Sequence, residues 1–434
     1  MFRVTQAKVL LRFLAKRASL LCAIGACSAA CSSETPDSSP AVIVPGPNGD
    51  AAGAPVSQLP EAQGGMANQP DPMAGGAGAA VIPAGGTGGV ASPAPSGGTG
   101  GDNTPPAAGG VPVEPPVVPA GPTEQQLLTG TWEALEPIGA ATARHECGFG
   151  EVNGKMYLVG GRESTDTEEY DPKTNTWKKV GQAPVTLHHF QPVGYKGKLY
   201  VGGALTGGFP MEPPAPDFYV FDPANGAWTT DTRLPQGRER GSTGLAVYKD
   251  KFYVVSGITN GHWDGWVSWF DVYDPATKTW ATLPDAPRPR DHVAVAVAGD
   301  KLYVAGGRNS SWKDGKNFSL TIAPVDVFNF TTNQWSTLPN DLPTPRAGNS
   351  TVIVGNHLLI IGGEYANPGG GGGDALPTVE ALNLATNEWV KLADMTSKRH
   401  ATSVVLLDNK LFTAAGSVSL GGNKTNTMER WTMP

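Results

Sequence analysis

Residues 153–177, with the sequence NGKMYLVGGRESTDTEEYDPKTNTW, contain the pattern from which the architecture of this chain can be predicted. An Asn-Gly turn leads into an apolar strand that ends in two glycines, a further strand ends in Tyr-Asp-Pro, and a Trp follows. The same order recurs along the chain, where tryptophans stand 45 to 55 residues apart at Trp132, Trp177, Trp228, Trp280, Trp335 and Trp389. Four short strands per unit, repeated at a period of about 50 residues, predict the blades of an all-β propeller.

The number of blades follows from how the units begin and end. Each unit opens with a basic residue, and these are Arg144, His188, Arg240, Arg290, Arg346 and Arg399. The last of the six units has no fourth-strand Trp, whereas Trp132 precedes the first unit and has no strands of its own. We therefore predict that residues 131–135 complete the final blade, which closes a ring of six blades and leaves no open sheet edge.

The repeated order of apolar strand, Gly-Gly, Tyr-Asp-Pro and Trp resembles the kelch repeat. The resemblance covers residues 131–434, although Leu382 replaces the strand-end aromatic residue in the fifth unit and Trp431 fills that position in the sixth. It implies a six-bladed kelch-type β-propeller, to which we assign residues 124–434. Some kelch proteins hold acidic peptides with arginines at the mouth of the ring, so the resemblance also suggests a binding function.

The N-terminus has the features of an export signal. Residues 1–17 hold five positive charges and no acid, and an apolar run continues to Ala26. The sequence Ile-Gly-Ala-Cys at 24–27 resembles the lipoprotein cleavage box of bacteria. That resemblance implies a signal peptide over 1–26 and a lipid on Cys27, with Cys31 as the competing site. An ordinary signal peptide without lipid is the remaining alternative.

Residues 27–123 are rich in Pro, Gly, Ala and Ser, and they contain no Lys or Arg. Such a composition buries too little apolar surface to offset the entropy of ordering, so we expect a disordered linker. No stretch has the length and apolar character of a transmembrane helix. We therefore expect the ring to be tethered to the cell envelope by lipid alone, as an outer-membrane lipoprotein that faces the periplasm or the cell surface.

Charge and cysteine content exclude two classes of protein. The formal net charge is −7, and an acidic surface disfavours general nucleic-acid binding. Of the four cysteines only Cys147 lies within the repeats, so a disulfide scaffold is not expected. We expect a monomeric ring that is stabilised by its own sheets.

Arginines form the first set of candidate binding residues. The candidates that open a repeat are Arg144, Arg240, Arg290, Arg346 and Arg399, and those that directly follow a glycine pair are Arg162 and Arg308. All of them are expected near the face that carries the loops between second and third strands, where loop length varies most. Guanidinium groups there suit a carboxylate or an acidic peptide. Alternatively, the arginines bond loop carbonyls and pair with neighbouring blades.

Aromatic residues form the second set. Trp263 and Trp266 lie in the long loop of the third unit, and Trp312 lies in that of the fourth. None of the three occupies a structural position of the repeat. They suit stacking on a sugar ring or contact with a partner, and the alternative is a loop that folds on its own tryptophans.

Catalytic patterns are weak in this sequence. The seven histidines are scattered, and the adjacent His188 and His189 are expected to point to opposite faces of a strand. We therefore expect no metal site, no cofactor and no catalytic residue. Sialic-acid mutarotases are similar in being exported six-bladed kelch proteins, and they provide the enzymatic alternative. The favoured function is an extracytoplasmic module that binds a protein or glycan, and a structural envelope role is the third possibility.

Overall fold

The computed structural model describes residues 122–368 and 372–433. The predicted signal peptide over 1–26, Cys27, Cys31 and the linker as far as residue 121 lie outside the described residues. Among those residues, no helix has the length and apolar character needed to cross a bilayer.

The described residues form one short α-helix, one 3-10 turn (Trp312–Asp314) and 28 strands. The helix is α1 (Glu124–Thr129). The strands are β1 (Thr131–Leu135), β2 (Cys147–Val152), β3 (Lys155–Gly160), β4 (Asp166–Asp171), β5 (Thr176–Gln182), β6 (Val193–Tyr195), β7 (Lys198–Val201), β8 (Asp217–Asp222), β9 (Ala227–Arg233), β10 (Gly244–Tyr248), β11 (Lys251–Val255), β12 (Ile258–Asn260), β13 (Asp264–Trp266), β14 (Phe270–Asp274), β15 (Thr279–Thr282), β16 (Ala294–Ala298), β17 (Lys301–Ala305), β18 (Asp326–Asn329), β19 (Gln334–Thr337), β20 (Ser350–Val354), β21 (His357–Ile361), β22 (Glu364–Ala366), β23 (Gly373–Ala375), β24 (Val379–Asn383), β25 (Trp389–Lys391), β26 (Val404–Leu407), β27 (Lys410–Ala414) and β28 (Met428–Thr432).

These strands build six antiparallel sheets of four strands each, which confirms the predicted six-bladed propeller. Blades one to six are, in order, β2-β3-β4-β5, β6-β7-β8-β9, β10-β11-β14-β15, β16-β17-β18-β19, β20-β21-β24-β25 and β26-β27-β28-β1. The first strand of every blade contacts the first strands of its neighbours, so these strands are innermost in the ring. Two small hairpins, β12-β13 and β22-β23, extend the loops between the second and third strands of blades three and five.

Blade six is completed by the N-terminal strand, as predicted. β1 pairs antiparallel with β28, with Thr131 opposite Thr432 and Trp132 opposite Trp431. Helix α1, which was not predicted, precedes this strand and buries Leu127. The turn between them needs Gly130, because a Cβ there would come within 2.2 Å of the Trp431 ring. The first and last strands of the propeller therefore share one sheet.

The repeated tryptophans join neighbouring blades. The indole Nε1 of Trp228 in blade two donates to Thr167 Oγ1 of blade one at 2.9 Å. In the same way Trp335 of blade four donates to the Pro284 carbonyl beyond blade three at 2.7 Å. Their rings pack into apolar clusters that also contain residues of the preceding blade. These two indoles thus fill the space between neighbouring sheets and satisfy their one donor, whereas the buried Nε1 atoms of Trp132 and Trp177 have no hydrogen-bond partner among the described residues.

Six turns form a closed collar around the axis, just before the innermost strand of each blade. We call the residues at their centres the axial collar, namely Glu146, His189, Ser242, His292, Gly348 and Ala401, and their φ values lie between 51° and 63°. Backbone hydrogen bonds connect one turn to the next: His189 N to Glu146 O (3.0 Å), Ser242 N to His189 O (3.0 Å), Gly348 N to His292 O (2.9 Å), Ala401 N to Gly348 O (3.0 Å) and Cys147 N to Ala401 O (3.2 Å). The His292 amide completes the circle by donating to Ser242 Oγ at 2.9 Å. The collar thereby brings one residue of every blade close to the axis.

Candidate functional site

The five candidate arginines that open a repeat lie inside the blades. At most 2 % of each side chain is exposed, and each guanidinium pairs with a carboxylate on the third strand of its own blade. The pairs are Arg144–Glu168, Arg240–Asp271, Arg290–Asp326, Arg346–Glu380 and Arg399–Glu429. A buried charge requires such a partner. These arginines are therefore paired inside the ring. The prediction that they line an open mouth and bind an acidic ligand is wrong for these five residues.

Blade two departs from this pairing. Its opening position is Leu187, whose carbonyl accepts from Gly161 N at 2.7 Å, as the Arg290 carbonyl accepts from Gly257 N at 2.8 Å. The prediction that His188 opens the second repeat was therefore displaced by one residue. The position of the carboxylate is taken by Tyr219, and Leu187 and Tyr219 belong to one apolar cluster.

The two candidate arginines that follow a glycine pair lie closer to the axis. Arg162 forms an ion pair with Glu212 from the long loop of blade two, and 17 % of its side chain is exposed. Arg308 is buried, forms an ion pair with Glu364 of blade five and lies 4.9 Å from the Phe318 ring centroid. The structure therefore ties both arginines to the loops around the mouth of the ring.

The histidines are not scattered in space. Six of the seven, His145, His188, His189, His262, His292 and His400, lie in the turns and loops around the axis. The expectation that His188 and His189 point apart was wrong, because their Nδ1 atoms are 2.7 Å from each other. The alternation of a strand does not apply here, since His189 adopts a φ of 56° in its collar turn.

Three of these rings meet at the axis. His189 and His292 belong to the axial collar, and His262 enters from the loop between β12 and β13. The ring centroids are 4.7 Å apart for His189–His292, 4.7 Å for His262–His292 and 5.0 Å for His189–His262. At most 4 % of each side chain is exposed. We call these residues the axial histidines.

The loop of blade three is held in place by blade two. Glu212 Oε2 accepts from both the backbone N and the Nδ1 of His262, at 2.9 and 2.7 Å. Gly261 makes this approach possible, because its φ is +56° and a Cβ would come within 2.3 Å of the Glu212 amide. The position of His262 at the axis thus depends on contacts between two loops.

Burial opposes protonation of three imidazoles near the axis. It lowers the pKa of His188 to about 4, that of His189 to about 3 and that of His292 well below its usual range. Burial opposes ionisation of Glu146 too, but the adjacent His189 outweighs it and holds the pKa of that carboxyl well below its usual range. At neutral pH, His188, His189 and His292 are therefore uncharged and lie near the ionised carboxylate of Glu146.

Two cavities adjoin the axial histidines. An axial cavity of about 100 Å³ is lined by the collar and by the start of each innermost strand, including His189 and His292. A wider mouth pocket of about 430 Å³ is lined by Glu146, Arg162, Glu163, Gly207, Gly208, Phe209, His262, Phe318 and Gly421. Glu146 borders both cavities, and the axial histidines are divided between them: His189 and His292 line the axial cavity, and His262 lines the mouth pocket.

The candidate tryptophans lie on this same face. Trp266 and Trp312 are exposed at 40 % and 44 %, whereas Trp263 is half-buried. Trp312 begins a 3-10 turn, and its ring packs edge-on against Phe209 at 4.8 Å. Phe209 and Met211, on the long loop of blade two, are exposed at 45 % and 60 %. Sequence reasoning missed these two, although both also lie outside the structural positions of the repeat.

The comparisons agree with this architecture. The model of the KLHDC2/KLHL20/DRC7 Kelch-repeats domain matches residues 124–307 and 281–416. "Kelch-like protein terF" of Aspergillus terreus is 30% identical over 343 residues, which cover 72% of this chain and 70% of that protein. "Kelch-like protein 25" of Xenopus tropicalis is 27% identical over 59% of this chain, which spans only 42% of that relative.

A solved structure described as "Structure of YjhT" superposes with a TM-score of 0.57 at 17% identity, over 67% of this chain and 95% of that one. At this identity the match supports the fold alone. The domain model covers more than half of the chain, and the relative from Aspergillus terreus matches along most of its own length. The chain therefore belongs to the kelch-repeat family of β-propellers.

Proposed function

We propose that this kelch ring is a membrane-tethered, extracytoplasmic module that binds a protein partner on the face carrying the loops between second and third strands. The kelch β-propeller fold suggests a scaffold for protein binding, and kelch-repeat proteins commonly bind protein partners. The location outside the cytoplasm rests on the signal peptide predicted over residues 1–26 and on Cys27, which follows it. The docking face rests on the exposed aromatic residues described above.

The observation that carries this proposal is a group of exposed apolar side chains on the loops between second and third strands, one of which, Phe209, lines the mouth pocket. Phe209, Met211, Trp266 and Trp312, which we call the aromatic rim, are each at least 40 % exposed. Aromatic residues, Met and Arg are the types enriched at the centres of protein interfaces. Arg162 adds a partly exposed guanidinium, 6.0 Å from the Phe209 ring centroid. A partner with an apolar anchor and a nearby carboxylate fits this surface.

Site-specific photo-crosslinking in living cells tests the docking face. A photoreactive phenylalanine analogue replaces Trp312 in one variant and Leu406 in a matched control. Leu406 is likewise an exposed apolar residue, but it lies on β26 next to the turn between the first two strands of blade six. We expect a crosslinked protein only from position 312. Equal products from both positions, or none from position 312, would contradict the proposal, and glycan binding lost in Trp266→Ala would point to a glycan partner.

A carbohydrate-active function resembling sialic-acid mutarotase is the second candidate. The mouth pocket places Arg162, a ligand for a sugar carboxylate, in one cavity with Glu146. A carboxyl group can act as a general base on an anomeric hydroxyl. We expect the wild-type protein to accelerate anomer exchange of sialic acid, followed by NMR, and the Glu146→Gln variant not to accelerate it. Exchange at the rate seen in buffer alone removes this candidate.

The membrane tether is tested separately. We expect metabolic labelling with a fatty-acid analogue to mark the wild-type protein and the Cys31→Ala variant, but not Cys27→Ala. Labelling that is lost in Cys31→Ala would assign the lipid to Cys31 instead of Cys27. An unlabelled wild-type protein would favour an ordinary signal peptide without lipid. This result is independent of the crosslinking result.

A further inference from the structure

The axial histidines have the composition of a metal site. His189, His262 and His292 each offer a ring nitrogen, and these three nitrogens lie within 4.8 Å of one another. His292 Nε2 is buried and has no hydrogen-bond partner among the described residues. A buried polar atom without a partner is costly in a protein interior, so it calls for a ligand.

We propose that His189, His262 and His292 bind one divalent transition-metal ion of the zinc or copper class. Neutral imidazole is the ligand type that suits these ions. Three histidines leave a further coordination position open, as in metal sites that bind and activate small molecules. No metal was expected from the sequence, because the three residues belong to different blades and show no ligand spacing.

The carboxylates behind the histidines fix which nitrogen faces the axis. Glu212 Oε2 accepts from His262 Nδ1 at 2.7 Å, and Asp291 Oδ1 contacts His292 Nδ1. In both residues the Nε2 atom is thereby left for the ion. Carboxylate–histidine–metal arrangements of this type orient the ring and raise the basicity of the ligand.

The three ring nitrogens would have to move only slightly closer together to bind one ion. Metal–nitrogen bonds of about 2.0–2.1 Å place tetrahedral ligand atoms about 3.3 Å apart. The three nitrogens are at most 4.8 Å apart, so rotations of the three rings would bring them into range. Arg308 Nη2 now lies 3.3 Å from His262 Nε2, and the bound ion would take its place. Arg308 retains Glu364 and Ser310 as partners.

The charge around the axis favours a cation. The carboxyl groups of Glu146, Glu212, Asp291 and Glu364 are buried there, and the arginines that face them are Arg162 and Arg308. Among the described residues at the axis, four buried carboxyl groups thus meet two guanidinium groups. A buried charge without compensation is strongly unfavourable, and a divalent ion at the histidines would offset the excess.

The three proposed ligands lie at the walls of the two cavities. His262 lines the mouth pocket, His189 and His292 line the axial cavity, and Glu146, which lies 3.2 Å from His189 Nε2, borders both. The metal site lies beneath the aromatic rim, and its test does not depend on the docking of a protein partner.

Copper binding to the purified full-length protein tests the site. The protein is freed of metal with a chelator and titrated with Cu²⁺. We expect one ion per chain and an electron paramagnetic resonance spectrum with coupling to three nitrogens. His292→Ala should weaken binding by more than about 100-fold, beyond the about 10- to 100-fold effect typical of residues behind the ligands.

His357→Ala is the matched control, because His357 is also buried but lies on β21 away from the axial histidines. It should bind Cu²⁺ as tightly as the wild type. Equal affinity in the two variants overturns the proposal, as does wild-type protein without stoichiometric copper or with coupling to fewer than three nitrogens. The wild-type spectrum decides the question even if the His292 variant does not fold.

Discussion

Leu187 and Tyr219 occupy, in blade two, the two positions that an arginine and a carboxylate occupy in the other five blades. Both residues lie in one apolar cluster, whereas the five ion pairs are buried inside otherwise similar sheets. Apolar residues of similar volume replace a buried ion pair at little cost, while removal of one partner leaves an unpaired charge. Blade two therefore shows that an apolar pair can replace the buried ion pair of the other five blades.

This relationship predicts the effect of mutation in blade five. Arg346→Leu leaves the Glu380 carboxylate buried without its guanidinium, which is 2.7 Å away in the wild type. We expect a loss of about 3–5 kcal/mol in the free energy of unfolding, measured by urea denaturation. The double variant Arg346→Leu/Glu380→Tyr copies blade two and should recover most of that loss. A double variant no more stable than the single one would contradict this account.

Ring closure predicts a large effect at the first strand. Trp132 is buried opposite Trp431, so Trp132→Ala should lower the free energy of unfolding by about 3–5 kcal/mol. The control is Glu133→Ala on the same strand, which removes only a half-exposed ion pair with Arg430 and should cost less than about 1 kcal/mol. Urea denaturation of both variants measures the difference. Similar losses would mean that β1 contributes little through its tryptophan.

Alkaline pH should destabilise the ring through Tyr273. Burial, and the hydrogen bond donated to Asp231 at 3.0 Å, raise the pKa of Tyr273 from 10.0 to about 12. Between pH 10 and about 12 the folded state therefore keeps the phenolic proton of Tyr273, while the unfolded chain loses it. The contribution of this group to the free energy of unfolding is complete below pH 10 and is lost as the pH rises toward about 12. Melting temperatures across this range should fall less steeply in Tyr273→Phe. Parallel curves for variant and wild type would exclude this residue as the cause.

The loop that carries His262 should be sensitive to a single methyl group. Gly261→Ala places a Cβ within 2.3 Å of the Glu212 amide at a φ of +56°. Gly315→Ala provides the control, because its φ is +66° and nothing lies within 4 Å. Backbone strain alone should lower the free energy of unfolding of the Gly315→Ala control by about 1 kcal/mol. We expect Gly261→Ala to lower the melting temperature further and to weaken Cu²⁺ binding, and equal behaviour would show that the loop contact is not limiting.

The architecture was predictable because the sequence repeats the same pattern of residues in each blade. Glycine pairs, strand-end aromatics and tryptophans at fixed offsets gave the six blades, and the lone Trp132 gave the closing strand. Helix α1 was missed because its six residues follow a proline-rich segment and show no apolar period. The arginine pairing was also accessible from sequence, since an acid stands two residues before the strand-end position in each blade that opens with Arg.

The axial site was not predictable by the same means. His189, His262 and His292 come from a collar turn of blade two, a loop hairpin of blade three and a collar turn of blade four, and their meeting depends on ring geometry. The collar turns have positive φ at residues such as Glu146 and Ala401, which side-chain alternation does not anticipate. Spacing along the chain carries no signal for a cluster whose members meet only when the ring closes.

The pairing of β1 with β28 brings the beginning and the end of the folded ring into one sheet. Circular permutation should therefore be tolerated: a chain joined by a short linker between residues 432 and 131, and cut in the connection between blades three and four, retains every strand pair of the wheel. In such a protein all four strands of blade six would be contiguous in sequence, and the chain termini would lie between blades three and four.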